Sequence, residues 1–281
     1  MHKHNFLLSL ITVMTILASA EAKGERVQGN EGEMPRLVVN ILIDQLRSDY
    51  LETFSPLYVE DGFQQLLRDG CYYRQAGYSV VPRDRAVGTA TLATGTTPSN
   101  HGIVGERFLH RETLRPTVAV EDATVQGRGT TDRFSPASLL VTTLADELKL
   151  GTGGHAYVVS IAPQATMAIL SGGHAADQAV WIDDRNGQWV TSSYYGELPL
   201  WADLRNTRQS IDRRLAAGTW QPLQRNKPMV LLNGTTVKPF SHRMAGSGRF
   251  GAFKTSAMVN DEMAAAVADV LNNTALGADG T

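Results

Sequence analysis

Cysteine is almost absent from this sequence of 281 residues, which contains only Cys71. One thiol cannot form a disulfide within the chain, and it cannot build a zinc site from cysteine ligands. Cys71 lies between Gly70 and the pair Tyr72-Tyr73, in a segment with a strand-like composition. We therefore predict that Cys71 is a small buried apolar side chain rather than a reactive group.

A strong excess of positive charge is also missing. The formal net charge is −2, with 26 Lys and Arg residues against 28 Asp and Glu residues. Nucleic-acid binding depends on clustered basic residues that neutralise phosphates, and no such stretch occurs in the sequence. The balance argues against nucleic acid as a partner, while 42% hydrophobic residues are enough for a sizeable core.

Long apolar runs are confined to the N-terminus. Residues 6–17 form an apolar segment that follows a short polar start with one fixed positive charge at Lys3. The segment suits the core of a signal peptide and is too short to span a bilayer comfortably. We therefore expect a signal peptide over residues 1–22, a leader over 23–34, and a periplasmic or secreted protein without stable membrane insertion.

The strongest core pattern is the apolar run from Leu37 to Ile43, which ends in Asp44. Such a run is typical of a central strand that is buried on both faces of a parallel sheet. Ligands in open α/β sheets bind outside the carboxyl ends of the strands, so Asp44 is a candidate ligand for a divalent cation. The alternative is a helix N-cap or a turn acid.

Helical and strand-like patterns alternate along the rest of the chain, which predicts a doubly wound, mostly parallel α/β sheet. The predicted helices cover residues 61–70, 83–95, 135–151 (starting at Ser135-Pro136) and 259–277, and the predicted strands cover 37–44, 72–81, 156–161, 179–182 and 188–191.

The end of the chain departs from this alternation. The stretch 199–250 is rich in Arg, Gly and Pro, and we predict that it is an irregular insert within an α/β domain at 35–281. The last helix is followed by a turn-like tail rather than by another strand, which is unusual in this fold class. We therefore expect a domain that is incomplete at its C-terminus, as part of a longer reading frame or a truncated gene.

An ordered set of short motifs covers most of the chain downstream of residue 35. The motifs are the run from Leu37 to Leu51, Gly62-Phe63 through Leu66-Leu67 to Gly70, Val81-Pro82, Ala93-Thr94-Gly95-Thr96-Thr97-Pro98, His101-Gly102-Ile103-Val104-Gly105, Leu144-Ala145-Asp146-Glu147-Leu148 and Leu170-Ser171-Gly172-Gly173-His174-Ala175-Ala176. The set resembles the alkaline phosphatase superfamily, in particular the phosphate-irrepressible alkaline phosphatases and the type I phosphodiesterase/nucleotide pyrophosphatase group.

The resemblance implies a cofactor and a reaction. Two zinc ions at the carboxyl ends of the sheet would activate a Thr or Ser nucleophile at a helix N-terminus for attack on phosphorus. Asp44 matches the first metal-ligand Asp of the family, and the substrate would be a small-molecule phosphate ester. The remaining family ligands come from the second half of the fold, so Asp44 is the one zinc ligand that the motifs identify in this chain.

The nucleophile position departs from the family pattern. The family places Thr or Ser three residues after the proline that ends the strand, and in this chain that position is Arg85. A guanidinium cannot attack phosphorus, and its fixed charge would repel zinc. Thr89 is a weak substitute, as is Thr91, because either would need a register change; ordinary helix threonines are the alternative.

Two further positions depart from the pattern. Glu106 stands where phosphomonoesterases of this type carry a substrate-binding Asn, and a carboxylate would repel phosphoryl oxygens. The region 162–166 has no charge where the family carries Lys and Arg. We interpret His101 and His174 as structural residues rather than as metal ligands.

Two functions therefore stay open from the sequence. The first is exported, metal-dependent hydrolysis of phosphoric esters, by a phosphomonoesterase or a phosphodiesterase. The second is a non-catalytic or truncated relative that at most binds an anion or a partner. Arg85, beside Arg83 and Asp84 at a helix N-terminus, could hold a phosphate or sulfate without cleaving it, or form a surface salt-bridge cluster.

Overall fold

The structure is a computed structural model that describes residues 35–77, 84–222, 229–274 and 276–277. The chain divides into two units, residues 1–38 and 39–281. In the first unit the described residues 35–38 are neither helix nor strand. The signal peptide and leader that we predict over 1–34 lie outside the described residues.

Short helices and strands alternate through the second unit. The helices are α1 (Tyr50–Thr53), α2 (Phe63–Asp69), α3 (Arg85–Thr94), α4 (Pro98–His101), α5 (Leu144–Gly151), α6 (Ala165–Gly172), α7 (Leu200–Arg208), α8 (Ile211–Ala217), α9 (Arg249–Lys254) and α10 (Met258–Asn273), with a 3₁₀ turn at Ser55–Leu57. The strands are β1 (Arg107–His110), β2 (Arg115–Val118), β3 (Gly127–Arg128), β4 (Val159–Ala162), β5 (Gln178–Ile182), β6 (Trp189–Ser192), β7 (Met229–Val230) and β8 (Thr236–Val237). Within the described part of the chain, no helix is long and apolar enough to cross a membrane.

The main sheet has the strand order β3-β6-β5-β4. Strands β4 and β5 are parallel and are joined through α6, which makes a β-α-β unit. Strands β5 and β6 form an antiparallel hairpin, with Trp181 opposite Val190. The α/β class expected from the sequence is confirmed, and in the described residues the main sheet combines one parallel pair with two antiparallel pairs.

Strand β5 is buried on both faces. Ala179 and Trp181 belong to one core cluster, and Val180 and Ile182 belong to the other. This alternation follows from the two-residue period of a strand. The first cluster also holds Ala86, Ala90 and Ala168, small side chains that allow α3 and α6 to approach closely, and these contacts fix the position of α3.

The predicted central strand over residues 37–44 is wrong for the described structure. These residues carry no strand, and Val39, Ile41 and Ile43 are 60%, 73% and 51% exposed. A strand requires a neighbour that pairs with its backbone groups, and no strand of the described residues pairs with this run. The apolar sequence alone therefore does not create the strand.

The predicted helix start at Ser135-Pro136 is also wrong. The Ser135 hydroxyl donates to the Asp122 carboxylate at 2.5 Å and accepts from the Ala137 backbone N–H at 3.1 Å, but residues 136–143 form no helix. Helix α5 begins instead at Leu144, after Thr143 and Asp146 form a reciprocal capping box. The predicted end at Gly151 is confirmed.

The stretch 199–250 is more ordered than predicted. Residues 200–217 form the helices α7 and α8, and Trp201, Ile211 and Leu215 are buried in the second core cluster. These helices contain many charged residues, so their apolar faces were not recognised in the sequence.

The segment around Cys71 also differs from expectation. Cys71 is exposed, and Tyr73 is 77% exposed. Residues 72–77 form no strand, and the remainder of the strand predicted over 72–81 lies outside the described residues. The prediction of a buried thiol is therefore wrong.

Candidate functional site

The N-terminus of α3 carries the candidate site. Asp84 is the N-cap of this helix, in an extended conformation, and its Oδ1 accepts a hydrogen bond from the Val87 backbone N–H at 2.8 Å. The helix ends before Gly95, which adopts the left-handed conformation that glycine tolerates better than other residues. The helix predicted over 83–95 is therefore confirmed for the described residues; Pro82 and Arg83 lie outside them.

Asp84 also connects this helix to the loop before β1. Its Oδ2 accepts a hydrogen bond from the backbone N–H of Glu106 at 2.7 Å. A Cβ atom at Gly105 would lie 3.2 Å from the same oxygen, so a glycine suits this close approach. Asp84 therefore holds Glu106 beside the first turn of α3.

Arg85 joins the two other predicted site residues. Its Nε donates to Asp44 Oδ2 at 2.9 Å, and its Nη1 lies 3.6 Å from Glu106 Oε2. The three side chains are 26%, 34% and 36% exposed for Arg85, Asp44 and Glu106. The structure thus brings together Asp44, Arg85 and Glu106, which the sequence singled out separately.

The charge of this cluster is unusual for a helix N-terminus. A cation at the first helical position opposes the helix dipole, and the carboxylates of Asp44, Asp84 and Glu106 offset it. Burial lowers the pKa of Arg85, but the hydrogen bond to Asp44 and the charge of Glu106 outweigh burial and raise the pKa. Arg85 is therefore a permanent cation among three carboxylates.

The residues present do not fit the zinc site that the family implies. Asp44 already accepts a hydrogen bond from a fixed cation. In the described ranges there is no group of three or more His, Cys, Asp and Glu side chains that could hold a metal ion. Zinc sites in proteins typically have three or four protein ligands. These residues alone do not complete a zinc site, and the metal role of Asp44 stays a prediction.

The two candidate substitute nucleophiles, Thr89 and Thr91, make contacts within the fold. Thr89 is only 3% exposed within the core. Thr91 Oγ1 lies 3.2 Å from His101 Nε2. His101 Nδ1 accepts a hydrogen bond from the Ile103 backbone N–H at 3.1 Å, so the imidazole proton is on Nε2 and points to Thr91. This geometry supports the interpretation of both threonines as helix residues.

His101 is fully buried at the end of α4. Burial lowers its pKa, against a smaller opposing contribution from its own backbone hydrogen bond. The side chain is therefore neutral near pH 7. Its two ring nitrogens serve the contacts to Thr91 and Ile103, which supports the structural role that we predict.

The two later sequence motifs meet at Asp146. Its Oδ2 accepts from the Thr143 backbone N–H at 2.8 Å, and its Oδ1 accepts from the Ala175 backbone N–H at 2.7 Å. Burial raises the pKa of Asp146, but these backbone hydrogen bonds outweigh burial and lower it. His174 Nε2 lies 3.0 Å from the Leu139 carbonyl, which gives this histidine a structural contact.

The region 162–166 provides no charge for a phosphoryl group. Gln164 precedes α6 as its N-cap residue, and Thr166 is 4% exposed in the core. The region contains neither Lys nor Arg, so a phosphoryl group would find no cation on this segment.

The part that Asp84 plays in the cluster was not predicted from the sequence. An Asp directly before an apolar helical pattern is an N-cap signal, and this signal was present. Its second contact, to the Glu106 backbone, joins residues 22 positions apart and has no local sequence signal.

Comparisons with known proteins agree on one family. The family model for type I phosphodiesterases / nucleotide pyrophosphatases matches residues 38–257. A protein of Myroides odoratus named "Calcium-transporting ATPase" is 36% identical over 224 residues, which are 78% of this chain and 40% of that protein. Alkaline phosphatase PafA of Elizabethkingia meningoseptica is 33% identical over 223 residues, 78% of this chain and 39% of that enzyme.

The three-dimensional comparison gives the same relationship. The crystal structure of wild-type alkaline phosphatase PafA superposes with a TM-score of 0.72 at 28% identity, over 89% of this chain and 52% of that one. Alkaline phosphatase PhoV of Synechococcus elongatus is 31% identical over 85% of this chain and 45% of its own length. The chain thus spans about half the length of the relatives it matches, or less.

Proposed function

Because the chain belongs to the type I phosphodiesterase / nucleotide pyrophosphatase family of the alkaline phosphatase superfamily, we propose that the whole protein is a phosphoric ester hydrolase. The match over residues 38–257 carries this proposal. Relatives named alkaline phosphatases support small-molecule phosphate esters as substrates. Monoesters and diesters are both compatible with the family.

Export is the second part of the proposal. The polar start and the apolar segment 6–17 have the composition of a cleaved signal peptide, which supports a periplasmic or secreted location. Sequencing the N-terminus of the protein from its source cell tests this part. A mature start near residue 23 is expected, and an intact Met1 would contradict export through this signal.

Zinc is the cofactor that the family implies. It would supply a Lewis acid for the phosphoryl oxygens and an activated nucleophile, with Asp44 as a ligand. The contact between Arg85 and Asp44 does not fit this role, because the carboxylate is already bonded to a fixed cation. Zinc dependence is therefore a proposal from the family and not from the geometry of this site.

A non-catalytic relative is the second candidate, and the ion pairs of Arg85 favour it for the Asp44 site. The nucleophile position holds a guanidinium that is bonded to the candidate metal ligand. Free anions are poor ligands for this cluster, since Arg85 already faces Asp44 and Glu106 and the carboxylates outnumber it. The arrangement therefore matches a salt-bridge cluster better than an anion-binding site.

Turnover separates the two candidates. The purified secreted protein is incubated with a chromogenic phosphomonoester and a chromogenic phosphodiester, with zinc added, and is compared with Asp44→Ala. Hydrolysis that Asp44→Ala abolishes would establish the metal-dependent hydrolase and refute the non-catalytic candidate. Absence of hydrolysis of both esters by the whole protein would refute the enzyme proposal. Asp49→Ala, which removes a carboxylate exposed at 52%, is the matched control.

A further inference from the structure

We infer that Arg85 is a built-in cation that takes the place of a divalent metal between Asp44 and Glu106. The inference rests on the second candidate function, and it concerns which cation the site holds rather than which ester the protein cleaves. The observation behind it is one guanidinium that faces both carboxylates, through Nε at 2.9 Å and through Nη1 at 3.6 Å.

The contact to Asp44 has the geometry of a charge-assisted hydrogen bond. Its length of 2.9 Å falls within the range for such a bond between a guanidinium and a carboxylate. The pair joins positions 44 and 85, and the two side chains are both about one-third exposed or less. Partial removal from water makes such a pair less sensitive to screening than a fully exposed one.

A metal at Asp44 would meet two obstacles. At Oδ2 it would have to displace Arg85, and at either oxygen it would lie beside a guanidinium that keeps its charge at any working pH. The hydrogen bond from the Glu106 backbone N–H to Asp84 keeps this residue beside the first turn of α3, where its carboxylate faces Arg85. The guanidinium thus balances the charge of both carboxylates.

Removal of the guanidinium should open the site to a metal. In Arg85→Thr, Asp44 and Glu106 lose their cation and repel each other across the space that it filled. A divalent ion relieves this repulsion, and carboxylate oxygens are suitable ligands for it. The substitution should therefore raise the affinity of these two carboxylates for a divalent ion.

The test measures zinc affinity directly by isothermal titration of the full chain with zinc chloride alone. Four proteins are compared: the wild type, Arg85→Thr, Asp44→Ala and the double variant. We expect wild type and Asp44→Ala to bind zinc equally, and Arg85→Thr to gain at least about tenfold in affinity, which corresponds to about 1.4 kcal/mol. The double variant should lose the gain.

Two further variants serve as a control and as an alternative substitution. Arg68→Thr removes an arginine that is paired with Asp69 on the exposed surface of α2, and it should leave zinc affinity unchanged. Arg85→Gln keeps an amide donor for Asp44 but removes the fixed charge. It should show the same gain as Arg85→Thr, and it replaces that variant if the threonine protein does not fold.

Two results would overturn the inference. One is zinc binding by the wild type that Asp44→Ala removes, since a metal would then occupy Asp44 with Arg85 present. The other is no gain of affinity in folded Arg85→Thr or Arg85→Gln. Because the readout is zinc affinity, the outcome is independent of whether the whole protein hydrolyses phosphoric esters.

Discussion

Arg85 and Asp44 form an ion pair between chain positions that are 41 residues apart. The pair links the first residue of α3 to the end of the apolar run that the sequence predicts as a central strand. In the family pattern these positions supply a nucleophile and a metal ligand, and in this chain they supply a cation and its counter-ion. The residue at the family's nucleophile position therefore bonds the neighbouring carboxylate.

Replacement of the helix cap should weaken this site. Asp84→Ala removes the acceptor for the N–H groups of Val87 and Glu106, and N-cap loss typically costs about 0.5–2 kcal/mol. We expect a loss of about 1–2 kcal/mol in the free energy of unfolding, measured by urea denaturation. Asp84→Asn still caps a helix and should lose less. Equal stability of Asp84→Ala and wild type would show that the cap contributes nothing.

Gly173 should be intolerant of any side chain. Its φ is +72°, and a Cβ atom would lie 2.3 Å from Thr143 Oγ1 and 2.5 Å from Asp146 Oδ2. We expect Gly173→Ala to lower the free energy of unfolding by about 2–4 kcal/mol, through backbone strain and overpacking.

Gly246→Ala is the matched control for this prediction. Gly246 has a similar φ of +81°, but a Cβ atom there would meet nothing within 4 Å. Its loss of stability should reflect backbone strain alone, at about 1–2 kcal/mol. A loss in Gly173→Ala that is no larger than in Gly246→Ala would contradict the close contact with the α5 capping box.

The Asp183 carboxylate should make stability depend on pH in acid. Burial raises its pKa, but hydrogen bonds from Arg185, Thr130 and the backbone outweigh burial and lower the pKa from 3.8 to about 2. A carboxylate whose pKa is lower in the folded state stabilises the protein above the unfolded pKa. This stability is lost as the pH falls from about 4 to about 2.

Asp183→Asn tests this dependence. Wild-type protein should lose on the order of 2 kcal/mol of its free energy of unfolding between about pH 4 and pH 2, and the variant should lack this pH dependence. Urea unfolding curves at a series of pH values measure both. Asp203→Asn, an exposed carboxylate of α7, should keep the wild-type slope. A steep wild-type slope that persists in Asp183→Asn would assign the dependence to another group.

Glu262 should be essential for the packing of α7 and α8 against α10. Its fully buried carboxylate accepts hydrogen bonds from Trp189 Nε1 at 2.8 Å and Arg205 Nε at 3.0 Å, and it pairs with Arg214. Glu262→Ala leaves the guanidinium of Arg205, 3% exposed, without this partner.

We expect Glu262→Ala to destabilise the fold by about 3–5 kcal/mol, since a buried charge loses its main counter-ion. Asp261→Ala, at an exposed position of the same helix, should change stability by less than about 0.5 kcal/mol. Thermal unfolding of both variants gives the comparison. A loss in Glu262→Ala of only the size seen in Asp261→Ala would show that the buried network is not required.

Local patterns predicted the elements whose signals are complete within a few residues. The helix predicted over 83–95 forms as α3 and ends before Gly95, and the strands predicted over 179–182 and 188–191 form β5 and β6. Both elements form as predicted. At the candidate site, the sequence named Asp44, Arg85 and Glu106 through the family pattern, and their mutual contacts required the structure.

Predictions failed where distant partners decide the outcome. The run 37–44 has strand composition, but no described strand pairs with it. Ser135-Pro136 is a typical helix start, but the Ser135 hydroxyl bonds the distant Asp122 and no helix follows it. The helices α7 and α8 depend on Glu262, which lies more than 45 positions downstream. None of these partners can be identified from a local pattern.

We infer that the cation bonded to Asp44 is the Arg85 guanidinium and not a metal. The most direct measurement is a crystal structure of the protein grown with zinc, with diffraction data collected on both sides of the zinc absorption edge. We predict Arg85 Nε at hydrogen-bond distance from Asp44 and no anomalous peak at that carboxylate. An anomalous peak at bonding distance from Asp44, with Arg85 turned away, would contradict the claim.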